Sequence, residues 1–182
     1  MISQEAGGVA AGSRTVVVGV GNPLMGDDGL GIVALERLRE EWHLPPDVEL
    51  VDGGTWGMNL LPVIEEADQL LIVDAIDAGA EPGELVVLER DDLPLFLSMK
   101  LSPHQLDLGE VLALAAFRGR LPAQTVAIGL QPAVVDLCSE LSEVVAERVD
   151  ALLEQVVARL RAWGHQPRVG PHQVAESAES IA

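Results

Sequence analysis

A continuous apolar segment in the middle of the chain is the feature that most constrains the fold. Residues Gln69 to Ile76 read QLLIVDAI, and such a run is typical of a strand that is buried on both faces of a parallel sheet. Asp74 is the one charged residue in it. The rest of the chain must then supply neighbouring strands, together with helices that cover both faces.

Shorter apolar runs alternate with helical patterns on either side of this strand. Further strands are predicted at Thr15–Val20, Val48–Asp52, Glu84–Glu89 and Gln124–Leu130. Helices are predicted at Leu30–Trp42, Met58–Ala67, Leu106–Phe117 and Leu141–Trp163. The third helix has a start signature, with Ser102 as N-cap, Pro103 at the first helical position and Gln105 three residues after the cap.

This alternation predicts an α/β fold with one domain, built on a mostly parallel sheet of about five strands with helices on both faces. Hydrophobic residues make up 48% of the chain but aromatic residues only 3%, so the core must consist of Val, Leu, Ile and Ala. We expect the domain at residues 14–164, a flexible segment at 1–13, and a disordered tail at 165–182, where small and polar residues lack periodicity.

The charge of the chain limits its partners. The formal net charge of -18 would repel phosphate backbones and anionic membranes, so we expect neither nucleic acid nor a membrane as partner. Cys138 is the only cysteine, which excludes an internal disulfide and a thiolate zinc site. With no signal peptide or apolar run of about 18 residues, we expect a cytoplasmic protein, and the oligomeric state is left open.

Polar residues directly after strands are the candidates for chemistry, because ligands of open α/β sheets bind outside the carboxyl ends of the strands. Asp28 follows the first strand, Asp74 ends the third, and His104 lies at a helix start. Together they could form a three-ligand oxygen and nitrogen metal site with open positions. Each also has a structural interpretation: Asp28 as a helix-terminus acid, Asp74 as a cap of a backbone turn, and His104 as a packing residue.

Other functional interpretations are weaker. The loop GVGNPLMGDDGLG places Leu24 where a dinucleotide fingerprint needs its third glycine, and Asp27 and Asp28 would repel a pyrophosphate. One acid of that pair could serve only to cap the helix. The chain has no G-x-S-x-G elbow and no HExxH helix. Cys138 is interpreted as a structural cysteine, and His43, His165 and His172 are assigned no role.

Four segments in order, GVGNPLMGDDGLG, DGGTWGMNLL, LLIVDAIDAG and KLSPHQLDL, resemble the endopeptidases that mature nickel-iron hydrogenases. The resemblance covers about Thr15 to Gly164 and implies a twisted α/β sheet between helices. It also implies that Asp28, Asp74 and His104 contact metal. The DGGT loop, Asp52, Gly53, Gly54 and Thr55, is implied in substrate or nickel discrimination.

The implied reaction is removal of a C-terminal extension from a nickel-iron hydrogenase large-subunit precursor once nickel is in place. This predicts a metal-dependent, aspartic-type endopeptidase whose nickel is supplied by the substrate rather than held by the free enzyme. Two alternatives stay open at the level of the sequence: a non-catalytic nickel-binding hydrogenase assembly factor, and an unrelated metal-dependent hydrolase.

Overall fold

The apolar segment around residue 72 forms the central strand of a five-stranded sheet. The computed structural model describes residues 13–54, 57–93 and 103–170, and for 103–107 it describes the helix backbone only. The strands of this part of the chain are β1 (Thr15–Val20), β2 (Trp42–His43), β3 (Val48–Gly54), β4 (Gln69–Ala75), β5 (Leu85–Glu89), β6 (Gln124–Leu130) and β7 (Arg168–Val169). The helices are α1 (Leu30–Glu41), α2 (Leu61–Glu65), α3 (Pro103–Phe117), α4 (Glu143–Ala146) and α5 (Val149–Ala162).

The large sheet has the strand order β3-β1-β4-β6-β5. β1, β3, β4 and β6 run parallel, and β5 is antiparallel to β6. The predicted α/β class and mostly parallel sheet of about five strands are therefore confirmed. We call the side where Val20, Gly54, Ala75 and Leu130 end the parallel strands the carboxyl edge, and the opposite side the amino edge.

Two apolar cores cover the two faces of the sheet because the strand side chains alternate between them. On one face, Val17, Leu71 and Val73 belong to a buried cluster with side chains of α1 and α5. On the other, Val16, Val18 and Ile72 belong to a second cluster with side chains of α2 and α3. Burial of each such side chain contributes roughly 1.5–3 kcal/mol relative to exposure, so the sheet is held from both sides.

The predicted helix Leu141–Trp163 is wrong in one respect, because it is two helices. α4 and α5 are separated at Glu147 and Arg148. Arg148 is the N-cap of α5 and makes no side-chain cap hydrogen bond, while its Nε donates to the Gly83 carbonyl at 3.4 Å. The local sequence gives no capping signal at the break, so the sequence predicts one continuous helix.

The ordered fold continues beyond Gly164, where the sequence predicts that the domain ends. The His165 side chain is buried, and its Nε2 lies 2.8 Å from Thr15 Oγ1 and 3.0 Å from Gln69 Oε1. β7 pairs with β2, so Arg168 and Val169 extend a small second sheet. The predicted tail is thus corrected for residues 165–170. The predicted flexible segments at 1–12 and 171–182 lie outside the described residues, and no helix within the described ranges has the length and apolarity to cross a membrane.

Candidate functional site

Asp28 is placed at the carboxyl edge by tight packing of the α1 start against the sheet. A Cβ atom at Gly31 would lie 2.3 Å from the carbonyl oxygens of both Val20 and Val73, so only glycine allows α1 to sit on the ends of β1 and β4. The 3-10 turn Gly26–Gly29 precedes α1 and contacts β4. Asp28 lies in this turn and is 1% exposed, and its Oδ2 accepts a hydrogen bond from the Asn22 backbone N–H at 3.1 Å.

Asp74 lies at the same edge, one residue before the end of β4. It is fully buried and pairs in register with Gly129 of β6. A Cβ at residue 129 would lie 2.0 Å from the Asp74 carbonyl oxygen, so a glycine at this position of β6 is needed for β4 to pack this closely. Because side chains alternate along a strand, Asp74 shares the face of Ile72, which is the face covered by α3. Its Oδ1 accepts the Ala75 N–H at 2.8 Å.

The first turn of α3 carries His104 to this edge. α3 begins at Pro103, the residue that the sequence predicts as its first helical position. At its other end, Arg118 pairs with Glu65 of α2 at 2.8 Å, close to where the chain enters β4 at the amino edge. The 15 residues of α3 span about 22 Å at 1.5 Å each, and a seven-residue strand spans about 23 Å. The α3 start therefore reaches the carboxyl edge, while the His104 side chain lies outside the described residues.

The neighbouring acid, Asp27, has a structural role that can be separated from that of Asp28. Asp27 is fully buried, and its carboxylate accepts four hydrogen bonds. The donors are the backbone N–H groups of Ala133, Val134 and Ser142 and the Ser142 hydroxyl, at 2.7–2.9 Å. The sequence predicts that one acid of the pair could have only a structural function, and the hydrogen bonds assign that function to Asp27.

Asp27 belongs to a pair of loops that sequence reasoning missed. We call residues 22–28 and 131–142 the paired loops. Gly26 N–H donates to the Cys138 carbonyl at 2.7 Å, Cys138 N–H donates to the Leu24 carbonyl at 3.0 Å, and Asp27 N–H donates to the Val134 carbonyl at 3.0 Å. Met25 and Cys138 form an isolated parallel bridge. Two irregular segments more than a hundred residues apart thus form one connected surface beside Asp28.

The DGGT loop also reaches the carboxyl edge. Asp52 is exposed on β3, an outer strand of the sheet, and pairs in register with Gly19 of β1. Gly53 is buried, and a Cβ there would lie 2.7 Å from Val18 Cγ1, so this glycine has a packing function. Gly54 has a φ of 38° and its carbonyl accepts the Gly21 N–H at 3.2 Å. Thr55 lies outside the described residues.

The arrangement can bind a cation or accept a proton. Carboxylate oxygens suit hard divalent ions, and a mixed oxygen and nitrogen set also suits later transition metals. Within residues 13–54, 57–93 and 108–170, no group of three or more His, Cys, Asp or Glu side chains is arranged to hold a metal ion. Asp28 and Asp74 alone are therefore the described members of the expected set, whose third member is His104. Cys138 is exposed in the paired loops, and His172 lies outside the described residues.

Comparisons with known proteins agree on one family. The family model described as hydrogenase maturation protease matches residues 32–159. The hydrogenase expression/formation protein HupD of Rhodobacter capsulatus is 42% identical over 153 residues, which are 83% of this chain and 73% of that protein. The hydrogenase 2 maturation protease of Escherichia coli is 37% identical over 162 residues, or 87% and 99% of the two chains.

A solved structure agrees with these sequence matches. The hydrogenase maturating endopeptidase HybD from E. coli superimposes with a TM-score of 0.82 at 36% identity, over 86% of this chain and 97% of that one. The chain therefore belongs to the hydrogenase maturation protease family.

Proposed function

We propose that this protein is an endopeptidase that removes the C-terminal extension of a nickel-iron hydrogenase large-subunit precursor after nickel insertion. Family membership supports the peptidase activity and the class of substrate. The observation that supports the assignment of the site is that Asp28 and Asp74 are both buried at the carboxyl edge, to which the length of α3 is expected to bring His104. We place the reaction in the cytoplasm, in one catalytic domain.

In this proposal Asp28, Asp74 and His104 contact the nickel that the precursor carries. Nickel is part of the substrate, and two carboxylates with one imidazole make a donor set that late transition metals accept. Three protein ligands leave positions for the ligands of the precursor itself. Binding then tests whether the precursor is loaded, and it places the cleavage segment beside the two carboxylates.

The two carboxylates are the proposed proton acceptors for hydrolysis. Water adds to the scissile carbonyl carbon while a carboxylate, Asp28 or Asp74, takes its proton. The same proton then passes to the amide nitrogen as the C–N bond breaks, which releases the extension with a free amine. Burial of both side chains removes competing solvent and strengthens their electrostatic effect on the reacting atoms. This makes the proposed peptidase metal-dependent and aspartic in type.

The DGGT loop is proposed to discriminate between substrates. Asp52 is exposed on an outer strand that ends at the carboxyl edge, so its carboxylate is available to a bound precursor. Gly53 and Gly54 shape the backbone at this position, and Thr55 follows them directly in the sequence. We expect Asp52 to affect recognition of the precursor rather than the chemical step.

A cleavage assay tests this function. The protein is incubated with nickel-loaded and with nickel-free precursor, and the mass of the large subunit is measured. We expect loss of a short C-terminal segment from the loaded precursor only, and no loss with Asp28→Asn or Asp74→Asn. Asp91→Asn is the matched control, because it removes an exposed carboxylate near the amino edge.

The outcomes separate this function from the alternatives. Tight binding of loaded precursor without a change of mass would identify an assembly factor and overturn the peptidase proposal. Equal cleavage of loaded and nickel-free precursor would overturn the proposed role of nickel.

A further inference from the structure

Three exposed apolar side chains stand on the paired loops. Leu24 is 61% exposed, Val134 48% and Leu137 81%. Single exposed apolar residues are common on protein surfaces and need no function. These three differ because they share one hydrogen-bonded pair of loops. The Leu24 carbonyl accepts the N–H of Cys138, which is the residue after Leu137, and the Val134 carbonyl accepts the Asp27 N–H. We call them the apolar trio.

The loops that carry the apolar trio are held in place before any partner binds. The buried Asp27 carboxylate accepts hydrogen bonds from Ala133, Val134 and Ser142, which are spread along residues 131–142. The backbone bonds between the paired loops add to this. A surface that is already ordered loses little conformational entropy when a partner binds, so its apolar contacts contribute more fully to affinity.

The apolar trio stands on loops that are joined to the 3-10 turn of Asp28. Asp27, which anchors the loops, is the neighbour of Asp28 in the same 3-10 turn. A substrate whose cleavage segment reaches Asp28 and Asp74 must therefore pass close to the paired loops. Phe117 at the end of α3 and Val169 in β7 are also highly exposed, but neither lies on the paired loops.

The charge around the apolar trio indicates the chemistry of its partner. Asp136 and Glu140 lie exposed on residues 131–142, and the whole chain has a formal net charge of -18. Acidic groups beside apolar side chains favour a partner segment that presents apolar residues flanked by lysine or arginine. The same acids disfavour an acidic partner or a second copy of this chain.

We propose that the apolar trio is a docking surface for a segment of the precursor that has apolar residues flanked by basic ones and lies next to its cleavage site. This proposal rests on the proposed function for the identity of the partner. The apolar trio contributes to binding of the precursor and not to bond cleavage. Leu24 and Leu137 anchor the apolar residues of the segment, while Asp136 and Glu140 attract its basic ones.

The first test compares two double variants that change the same chemistry at different places. Leu24→Ser with Leu137→Ser removes the two most exposed members of the apolar trio, and Phe117→Ser with Val169→Ser removes two exposed apolar side chains elsewhere. Binding of the nickel-loaded precursor is measured by calorimetry, and cleavage by KM and kcat. We expect the first variant to raise Kd and KM about tenfold or more with kcat unchanged, and the second to change neither.

The second test uses the single cysteine as a probe of the same surface. Cys138 is exposed on the second of the paired loops, residues 131–142, and is the only cysteine of the chain. Labelling it with a bulky maleimide should raise Kd for the precursor, whereas Cys138→Ser treated with the same reagent should bind like the untreated protein. In the unlabelled protein, added salt should also weaken binding of the precursor, because salt screens the charges of Asp136 and Glu140.

The outcomes keep this proposal separate from the proposed function. Wild-type Kd and KM in the Leu24→Ser, Leu137→Ser variant would overturn the docking surface even if cleavage confirms the peptidase. Binding that depends on the apolar trio without cleavage would support docking and overturn the peptidase. Sedimentation tests whether the apolar trio instead binds a second copy of this chain. That would be so if the wild type self-associates, the Leu24→Ser, Leu137→Ser variant does not, and both bind the precursor equally. The proposal would then be wrong.

Discussion

Replacing Asp27 with asparagine should destabilise the protein, although the two side chains have nearly the same shape. Asp27 Oδ2 accepts Ala133 N–H at 2.8 Å, Val134 N–H at 2.9 Å and the Ser142 hydroxyl at 2.9 Å, and Oδ1 accepts Ser142 N–H at 2.7 Å. All four are donors, so the site requires two acceptor oxygens. An asparagine provides one oxygen and one NH2 group, which is itself a donor.

The free-energy cost of Asp27→Asn is set by whichever of the two orientations of the asparagine amide loses less. With the oxygen in place of Oδ2, three hydrogen bonds remain as weaker neutral ones and the NH2 faces the Ser142 N–H. With the orientation reversed, the N–H groups of both Ala133 and Val134 lose their acceptor. A hydrogen bond to a charged group contributes roughly 1.5–3 kcal/mol, and an unsatisfied buried donor costs about 1–3 kcal/mol. We therefore expect Asp27→Asn to lower the free energy of unfolding by about 2–4 kcal/mol.

Urea unfolding measures this loss, and hydrogen exchange locates it. The backbone N–H groups of Ala133, Val134 and Ser142 should exchange faster in Asp27→Asn than in the wild type, while those of the central strand β4 should change less. Asp136→Asn is the control on the same loop. Its exposed carboxylate accepts the Leu137 N–H at 2.7 Å, and its removal should change stability by less than about 0.5 kcal/mol.

Two results would refute the reasoning about Asp27. One is an unfolding free energy of Asp27→Asn within about 0.5 kcal/mol of the wild type. The other is unchanged protection of the three N–H groups, which would mean that the paired loops are held by contacts other than this carboxylate. Either result would also weaken the argument that the apolar trio is ordered before the precursor binds.

Further predictions concern the proposed site and the amino edge. His104→Ala should fold with almost unchanged thermal stability but lose cleavage, and a folded variant that cuts at the wild-type rate would remove His104 from the mechanism. Asp74→Asn should be inactive with equal or higher stability, because an amide oxygen can still accept the Ala75 N–H while a buried charge is removed; strong destabilisation would point to a structural aspartate. The purified protein should contain no stoichiometric nickel or zinc by elemental analysis, and chelator-treated enzyme should still cut loaded precursor; a tightly bound metal whose removal abolishes this activity would contradict substrate-borne nickel. His165→Ala should lower the unfolding free energy by about 2–4 kcal/mol, since it leaves a cavity and removes the buried ring nitrogen that lies within hydrogen-bond distance of Thr15 and Gln69. An unchanged urea midpoint would show that residues 165–170 do not stabilise the domain.

Much of the fold could be predicted because its determinants are local in the sequence. The apolar run at residues 69–76 became β4, and the stripe from Val145 to Trp163 is buried as expected. A strand that is buried on both faces needs a continuous run of apolar residues, and a helix that is buried on one face needs apolar residues repeating about every 3.6 positions. Both patterns can be recognised without knowing which elements touch. Asp74 stood out for the same reason, as a charge in a segment that has to be buried.

What the tertiary structure decided depends on contacts between residues far apart in the chain. The sequence alone could not tell Asp27 from Asp28 as the structural acid, because the donors that bind Asp27 lie 106–115 residues away. It predicted a tail where His165 is buried against Thr15, 150 residues earlier. Polar contacts of this kind follow no periodicity, since each needs only one donor and one acceptor in the right place. The sequence by itself therefore determined the α/β fold, the family resemblance and the candidate acids, whereas only the packed chain decided which acid anchors the paired loops and that residues 165–170 belong to the ordered fold.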